Sequence, residues 1–239
     1  LACGGTIRVL VEPVGADVVP ALLADLVARR AARRAVAWVV DVATGERRLV
    51  DPAMAGGADP LGPAIAERAR ADRSGMEGGV FVGIHNPPLR LIVVGAVHIA
   101  QPLVAMARLA GYDPFLIDPR GAFGTETRFP GETIRDDWPD EALRALVPDR
   151  RSAVVTLTHD PKLDDPAIMV ALGSEAFYLG CLGSTRTHAR RLERLAAAGV
   201  GEAALARIHA PVGLDIGARS PAEIALSILA EITRTLRRG

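Results

Sequence analysis

The sequence predicts an α/β protein whose larger, C-terminal part is a doubly wound parallel sheet. Three observations predict it. Leu89 to Asp118 reads as strand, turn, helix, strand; short apolar runs then alternate with helical patterns up to the C-terminus; and those runs end in turn and cap residues, Thr158-His159-Asp160 and Gly183-Ser184. A smaller α+β domain is expected before them.

The first domain is read in order as follows. Thr6 to Glu12 alternates as a strand with Ile7, Val9 and Val11 on one face, and Pro13 ends it. Pro20 to Arg34 is a helix with Leu22, Leu23, Leu26 and Val27 as its stripe and arginines at its end, a solvated last turn favourable to the dipole. Ala35 to Val42 and Arg47 to Val50 form a hairpin through Thr44-Gly45. Met54 to Pro63 is a loop, Ala64 to Arg70 a short helix, Gly75 to Gly79 flexible, and Val80 to Ile84 a strand. His85-Asn86-Pro87-Pro88 is stiff and poor in donors, which sets the boundary between domains 1–84 and 89–239.

Beyond it, Leu91 to Val94 and Tyr112 to Ile117 are strands around a helix that includes Ile99 to Leu109, and Pro119 to Gly131 is a loop. Pro139 to Leu146 is helical and Ala153 to Leu157 a β-branched strand. Asp160 caps a helix opened by Pro161 that runs to about Leu172. Ala176 to Leu179 is a strand, Thr185 to Ala198 a helix stopped by Gly199, and Pro211 to Ile216 a last short strand. Ser220-Pro221-Ala222-Glu223 is a capping box opening a final helix through Leu236, with Ile224, Ile228, Leu229 and Ile232 buried.

Composition narrows the function. With 239 residues, 49% hydrophobic and 23% charged, the chain can bury one large core or two modest ones. Lys plus Arg and Asp plus Glu both number 28, so neither a nucleic acid nor an anionic membrane is an expected partner. No apolar run approaches the ~20 residues of a membrane span, and no signal peptide is visible. Cys3 and Cys181 are far apart and make no disulfide framework, which suits a reducing cytoplasm. The chain starts at Leu1, and Ala2-Cys3-Gly4-Gly5 reads as the middle of a segment, so the first domain is expected to be incomplete.

The turn Gly95-Ala96-Val97-His98-Ile99-Ala100 stands where a Rossmann fold carries G-x-G-x-x-G/A, and Asp118 where a ribose-binding acid would be. Gly95 allows the tight turn and Ala100 is small enough for packing, but Val97 occupies the position whose missing side chain admits a pyrophosphate. A Rossmann unit kept as scaffold is the plainer alternative. Ligands of such sheets sit outside the carboxyl ends of the strands, an edge that here gathers Gly95 to His98, Asp118, Thr158 to Asp160, and Gly183 to Arg186.

Four stretches, GAVHIAQPL from Gly95, LTHDPKLDDP from Leu157, LGSTRTHARRLERL from Leu182 and HAPVGLDIGARSPAEIALSILAEI from His209, resemble the XdhC/CoxI family, accessory proteins of molybdenum hydroxylases. ACGGTIRVLVEP from Ala2 is similar to the family's amino-terminal domain. The chain departs from the pattern at Val97, Cys181 and Thr185, and a second cysteine motif upstream of Cys3 is absent. The resemblance implies a cytoplasmic factor that binds molybdenum cofactor (molybdopterin). Such a factor helps exchange the oxo ligand for sulfur with a cysteine desulfurase and delivers the cofactor to an apo-hydroxylase of the xanthine or carbon monoxide dehydrogenase type. A homodimer is expected from the commonness of two-fold assemblies.

Cys3 is then the candidate metal ligand, since a thiolate is a soft ligand, or a nucleophile toward persulfide sulfur, and Gly4 and Gly5 free the backbone to approach an anion; a lone cysteine is otherwise a small buried hydrophobe. Cys181 reads as core. Gly95, His98, Asp118, Thr158, His159, Gly183, Ser184 and Arg186 are the candidate cofactor-binding residues of the sheet edge. His98 could donate to a phosphate or simply cap the turn, and Arg186 could clamp a phosphate, with Arg190 and Arg194 on a solvated face or a partner surface. His159 beside Asp160 suggests a general base, yet Asp160 has a sufficient role as cap, and no catalytic residue is assigned. Adjacent Asp164 and Asp165 should point apart, and His188 and His209 lack a second ligand at metal spacing. The alternative function is an oxidoreductase with NAD(P) or another nucleotide at Gly95 and Asp118; an adaptor without ligand is a third.

Overall fold

A computed structural model describes residues 9–12, 20–55, 59–121, 124–125 and 127–238. The chain divides into two compact units, Leu1–Pro87 and Pro88–Gly239.

The described residues of the first unit comprise α1 (Pro20–Ala31), β1 (Val36–Asp41), β2 (Arg47–Val50), α2 (Gly62–Arg70), β3 (Gly75–Glu77) and β4 (Val80–His85), with an antiparallel sheet in the order β2-β1-β4-β3. Strand β1 is buried on both faces because its alternate side chains meet different helices. Ala37 and Val39 pack with Ile65 of α2, and Val36, Trp38 and Val40 pack with Leu26 of α1.

Three expectations for this unit are corrected. Helix α1 stops at Ala31, short of Arg34, because Arg33 enters the left-handed region (φ 55°) and the amides of Arg33 and Arg34 close back on the Arg30 and Arg29 carbonyls. Gly75–Glu77 is an edge strand, register-locked to β4 with Gly75 opposite Val82, in place of the expected flexible stretch. Residues 9–12 lie in no strand, and the face that Val9 and Val11 share is the exposed one. Val9 and Val11 face solvent, Leu10 joins the Trp38 cluster, and the Glu12 carboxylate accepts from Trp38 Nε1 (2.9 Å) and Arg47 Nε (2.5 Å).

The second unit comprises β5 (Leu89–Val94), α3 (Ala100–Leu109), β6 (Tyr112–Ile117), β7 (Ile134–Arg135), α4 (Pro139–Leu146), β8 (Ser152–Thr156), α5 (Pro161–Leu172), β9 (Tyr178–Cys181), α6 (Thr185–Ala197), α7 (Glu202–Leu205), β10 (Ile208–His209) and α8 (Pro221–Arg238). Its strands are all parallel, in the order β10-β9-β8-β5-β6-β7, which is the doubly wound Rossmann arrangement. Leu91 and Val93 of β5 pack with α3 and α8 on one face, and Ile92 and Val94 with α4 and α5 on the other. Each such fully buried side chain contributes about 1.5–3 kcal/mol, so the central strands anchor the sheet edge to which the loops attach.

The expected caps form. Asp160 accepts from the Lys162 amide (2.9 Å), and Ser220 and Glu223 exchange bonds with each other's amides. The last strand does not lie at Pro211 to Ile216. The chain pairs earlier, at Ile208–His209, and then leaves the ladder, where the Glu231 carboxylate of α8 accepts from the Gly213 amide (2.8 Å) and the Tyr178 hydroxyl (2.7 Å).

Arg90, a charged residue inside β5, is 4% exposed. It donates to Ser152 Oγ (3.0 Å) and to the Leu146 and Val147 carbonyls (2.7 and 2.8 Å), capping the end of α4, and it pairs with Asp149 (3.2 Å). Arg90→Met keeps the apolar stem but strands these acceptors, and is expected to lower unfolding free energy by about 3 kcal/mol. Denaturant unfolding checks this, and a loss under about 1 kcal/mol would contradict it.

Candidate functional site

Strand order reverses between β5 and β8, and their carboxyl ends meet there. Gly95 follows β5 at φ 111°, its amide donating to the Ile117 carbonyl (2.8 Å). A Cβ on Gly95 would come within 2.8 Å of Thr158 Cγ2 and 3.2 Å of the Thr158 amide nitrogen. Only glycine permits this approach. Val97, half-buried, packs against the α3 side of the core, and His98 is exposed at the turn.

Asp118, at the end of β6, is 1% exposed and fully engaged. One carboxylate oxygen accepts from the Ala96 amide and Arg120 Nη2 (both 2.8 Å), the other from the Arg120 amide and Nε (3.0 and 2.9 Å). Burial pushes the carboxyl pKa up, but the Arg120 side chain and the Ala96 and Arg120 amides outweigh it and hold the group below its ordinary value. The residue placed to meet a ribose therefore braces the Gly95 turn, with Arg120 as its counter-ion.

The loop after β8 places His159 at φ 61°, an uncommon conformation for a side-chain-bearing residue, with its ring exposed. Thr158 Oγ1 accepts from the Asp160 amide (3.1 Å) and donates to Asp164 Oδ1 (2.6 Å). Asp164 is 2% exposed and its Oδ2 has no partner among the described residues. Burial dominates and raises its pKa, against the opposing Thr158 hydrogen bond and the Arg191 charge. Asp165, which lines the same cleft between α5 and α6 as Asp164, accepts a two-pronged bond from Arg194 (2.6 and 3.0 Å).

Ser184 caps α6, accepting from the Thr187 amide (3.2 Å), and Gly183 precedes it at φ 139°. Between α5 and α6 opens a cleft of about 430 Å³, lined by His159, Asp164, Arg186, Thr187, Arg190 and Arg191 among others. That volume falls in the range of small-ligand sites. The Arg186 and Arg190 side chains are exposed and carry no ion pair among the described residues, so the cleft is cationic. Cys181 beneath it is fully buried, and burial pushes its thiol up to about 11, which makes it inert core.

Of the sequence candidates, His159 and Arg186 line this cleft, Thr158, Gly183 and Ser184 lie where the chain enters α5 and α6, and Gly95, His98 and Asp118 form or brace the turn after β5 that meets Thr158. Cys3, Gly4 and Gly5 lie outside the described residues. Sequence reasoning missed Arg191 and left Arg190 on a solvated face. The available signal was helical phase, since Arg191 is four residues before Leu195, which is buried. Among the described residues no cluster of three His, Cys, Asp or Glu side chains could hold a metal, and no helix is long and apolar enough to cross a membrane.

Residues 91–232 match the family model described as the XdhC Rossmann domain. The chain is 31% identical over 174 residues to the molybdenum cofactor insertion chaperone PaoD of Escherichia coli K12, covering 73% of this chain and 48% of PaoD. It is 32% identical over 160 residues to a probable xanthine dehydrogenase subunit of Bacillus subtilis 168, covering 66% of this chain and 46% of that relative. A crystal structure described as a xanthine dehydrogenase from Bacillus halodurans superposes with TM-score 0.66 at 26% identity, over 91% of this chain and 64% of that one. The chain spans 31–48% of the length of the curated relatives it matches.

The two buried carboxylates respond oppositely to pH. Asp118 has a lowered folded pKa, so its stabilisation is present above the ordinary value of 3.8 and lost as pH falls through the folded value. Asp118→Asn is expected to cost about 2–3 kcal/mol at pH 7 and progressively less in acid. Asp164 has a raised folded pKa, so stability is greatest below 3.8 and falls as pH rises through the folded value. Asp164→Asn should therefore raise the melting temperature at pH 8 and leave it unchanged near pH 3. Scanning calorimetry of both variants across pH checks the pair, and a parallel response would contradict the assignment.

Proposed function

This chain belongs to the XdhC family, and from that premise we propose that it is a maturation factor that binds molybdenum cofactor and passes it to a molybdenum hydroxylase. The observation that carries the reading is the cationic cleft at the carboxyl edge of the sheet, suited to the phosphate end of a pterin cofactor. Relatives named for cofactor insertion and for xanthine dehydrogenase support the same cargo and client. In this reading Thr158, His159, Gly183, Ser184 and Arg186 surround the phosphate or nucleotide portion. Gly95, His98 and Asp118 shape and brace the adjoining turn. Cys3 supplies a soft thiolate to the molybdenum or its sulfur, with Gly4 and Gly5 giving the backbone close approach. The proposal extends to sulfuration together with a cysteine desulfurase, to a cytoplasmic setting where apo-hydroxylase is assembled, and to a homodimer.

A nicotinamide dinucleotide fits the turn less well. The Asp118 carboxylate that would bind its ribose is saturated by Arg120 and Ala96, and Val97 stands where the pyrophosphate approaches. The protein, purified from molybdenum-replete cells, is expected to release pterin and molybdenum in equal amounts, and Cys3→Ser to reduce the metal at least about tenfold. Co-purification of NAD(P) without pterin, or hydride transfer from NADH, would overturn the proposal.

A further inference from the structure

We propose that the cleft between α5 and α6 receives a phosphate monoester, whose oxygens take the Nε and Nη1 donors of Arg191 and the guanidinium groups of Arg186 and Arg190. This rests on the cofactor reading for the biological source of the phosphate, but adds Arg190 and Arg191 as its binding residues.

Arg191 lines the cleft and is 2% exposed. Its Nη2 donates to the Leu182 carbonyl (2.8 Å), which fixes the guanidinium, while Nε and Nη1 are buried with no acceptor among the described residues. Leaving donors of a buried cation unmet is costly, so an anionic acceptor at this place has more to gain than at an exposed arginine. Arg186 lies in the first turn of α6 and Arg190 one turn on, and neither is neutralised among the described residues; Arg194, by contrast, is already paired with Asp165. The amino end of α6 adds partial positive charge from the same side.

The guanidinium groups of Arg186 and Arg190, without an ion pair among the described residues, and that of Arg191, held by the Leu182 carbonyl alone, match a dianion, whereas a carboxylate would leave positive charge unmet. The cleft is also larger than a bare phosphate, so the phosphate carries an organic group. Asp164 Oδ2, buried and unpartnered on the α5 side, needs a donor, and a ligand hydroxyl supplies one. The phosphate therefore sits beside the α6 arginines rather than over the Gly95 turn, where Val97 stands.

The test is calorimetric titration of the full chain, stripped of bound ligand and in phosphate-free buffer, with inorganic phosphate, glycerol 3-phosphate, AMP and adenosine. Saturable binding of the first three but not adenosine is expected, with at least about tenfold weakening in Arg191→Gln and in the double variant Arg186→Gln/Arg190→Gln, which changes exposed side chains alone. Arg150→Gln, in an exposed pair with Glu175 at the opposite end of β8, should stay within about twofold. AMP tighter than glycerol 3-phosphate identifies a nucleotide source, and equal affinity a source read through its phosphate alone. The double variant keeps the test valid should Arg191→Gln fail to fold. No saturable phosphate binding, or wild-type affinity in the double variant, overturns the proposal. Because the readout is phosphate alone, a negative result here leaves pterin co-purification to be judged separately.

Discussion

The close approach of Gly95 to Thr158 is the constraint on which the rest of the site depends. Two parallel strands, β5 and β8, end side by side at the reversal of strand order, and their loops must leave in opposite directions without room for a Cβ between them. From that contact the two halves of the edge diverge. On one side Ala96 ties the turn to Asp118 and Arg120; on the other Thr158 bonds Asp164 and delivers the chain to the capped start of α5.

The polar groups on these two sides differ in a way that locates function. Asp118 has an acceptor role filled on both oxygens, so its charge is consumed inside the protein. Asp164 and Arg191 each keep buried polar atoms without partners among the described residues, and both residues line the same cleft. Native proteins seldom leave such atoms unmet, and a bound water, ion or ligand supplies the missing partner. The Rossmann turn thus serves as a brace, and the neighbouring inter-helical cleft has the unmet chemistry.

Much of this architecture was legible in the sequence. Leu91–Val94 and Ala153–Leu157 are short apolar runs, the second β-branched, that read as buried strands, and Asp160 and Ser220-Pro221-Ala222-Glu223 announce helix starts through side chains that bond the free amides. What escaped was set by tertiary contact. Strands Gly75–Glu77, Ile134–Arg135 and Ile208–His209 are too short to show a period. The phase of residues 9–12 was fixed by Glu12 reaching Trp38 and Arg47, far along the chain. Spacing singled out Gly95 and Asp118, but the internal engagement of Asp118 depends on Arg120, whose role no motif encodes. Arg191 was hidden among exposed arginines of one helix, distinguished only by sharing a face with Leu195.

The central claim is that an anion is held by the α6 arginines and not by the glycine turn. Nitrogen-15 NMR of the full chain during inorganic phosphate titration reads both places at once. The account predicts that the Arg191 Nε–H resonance moves strongly downfield while the Gly95 and Ala96 amides stay in place. Movement of the Gly95 and Ala96 amides with an unchanged Arg191 Nε–H would contradict it.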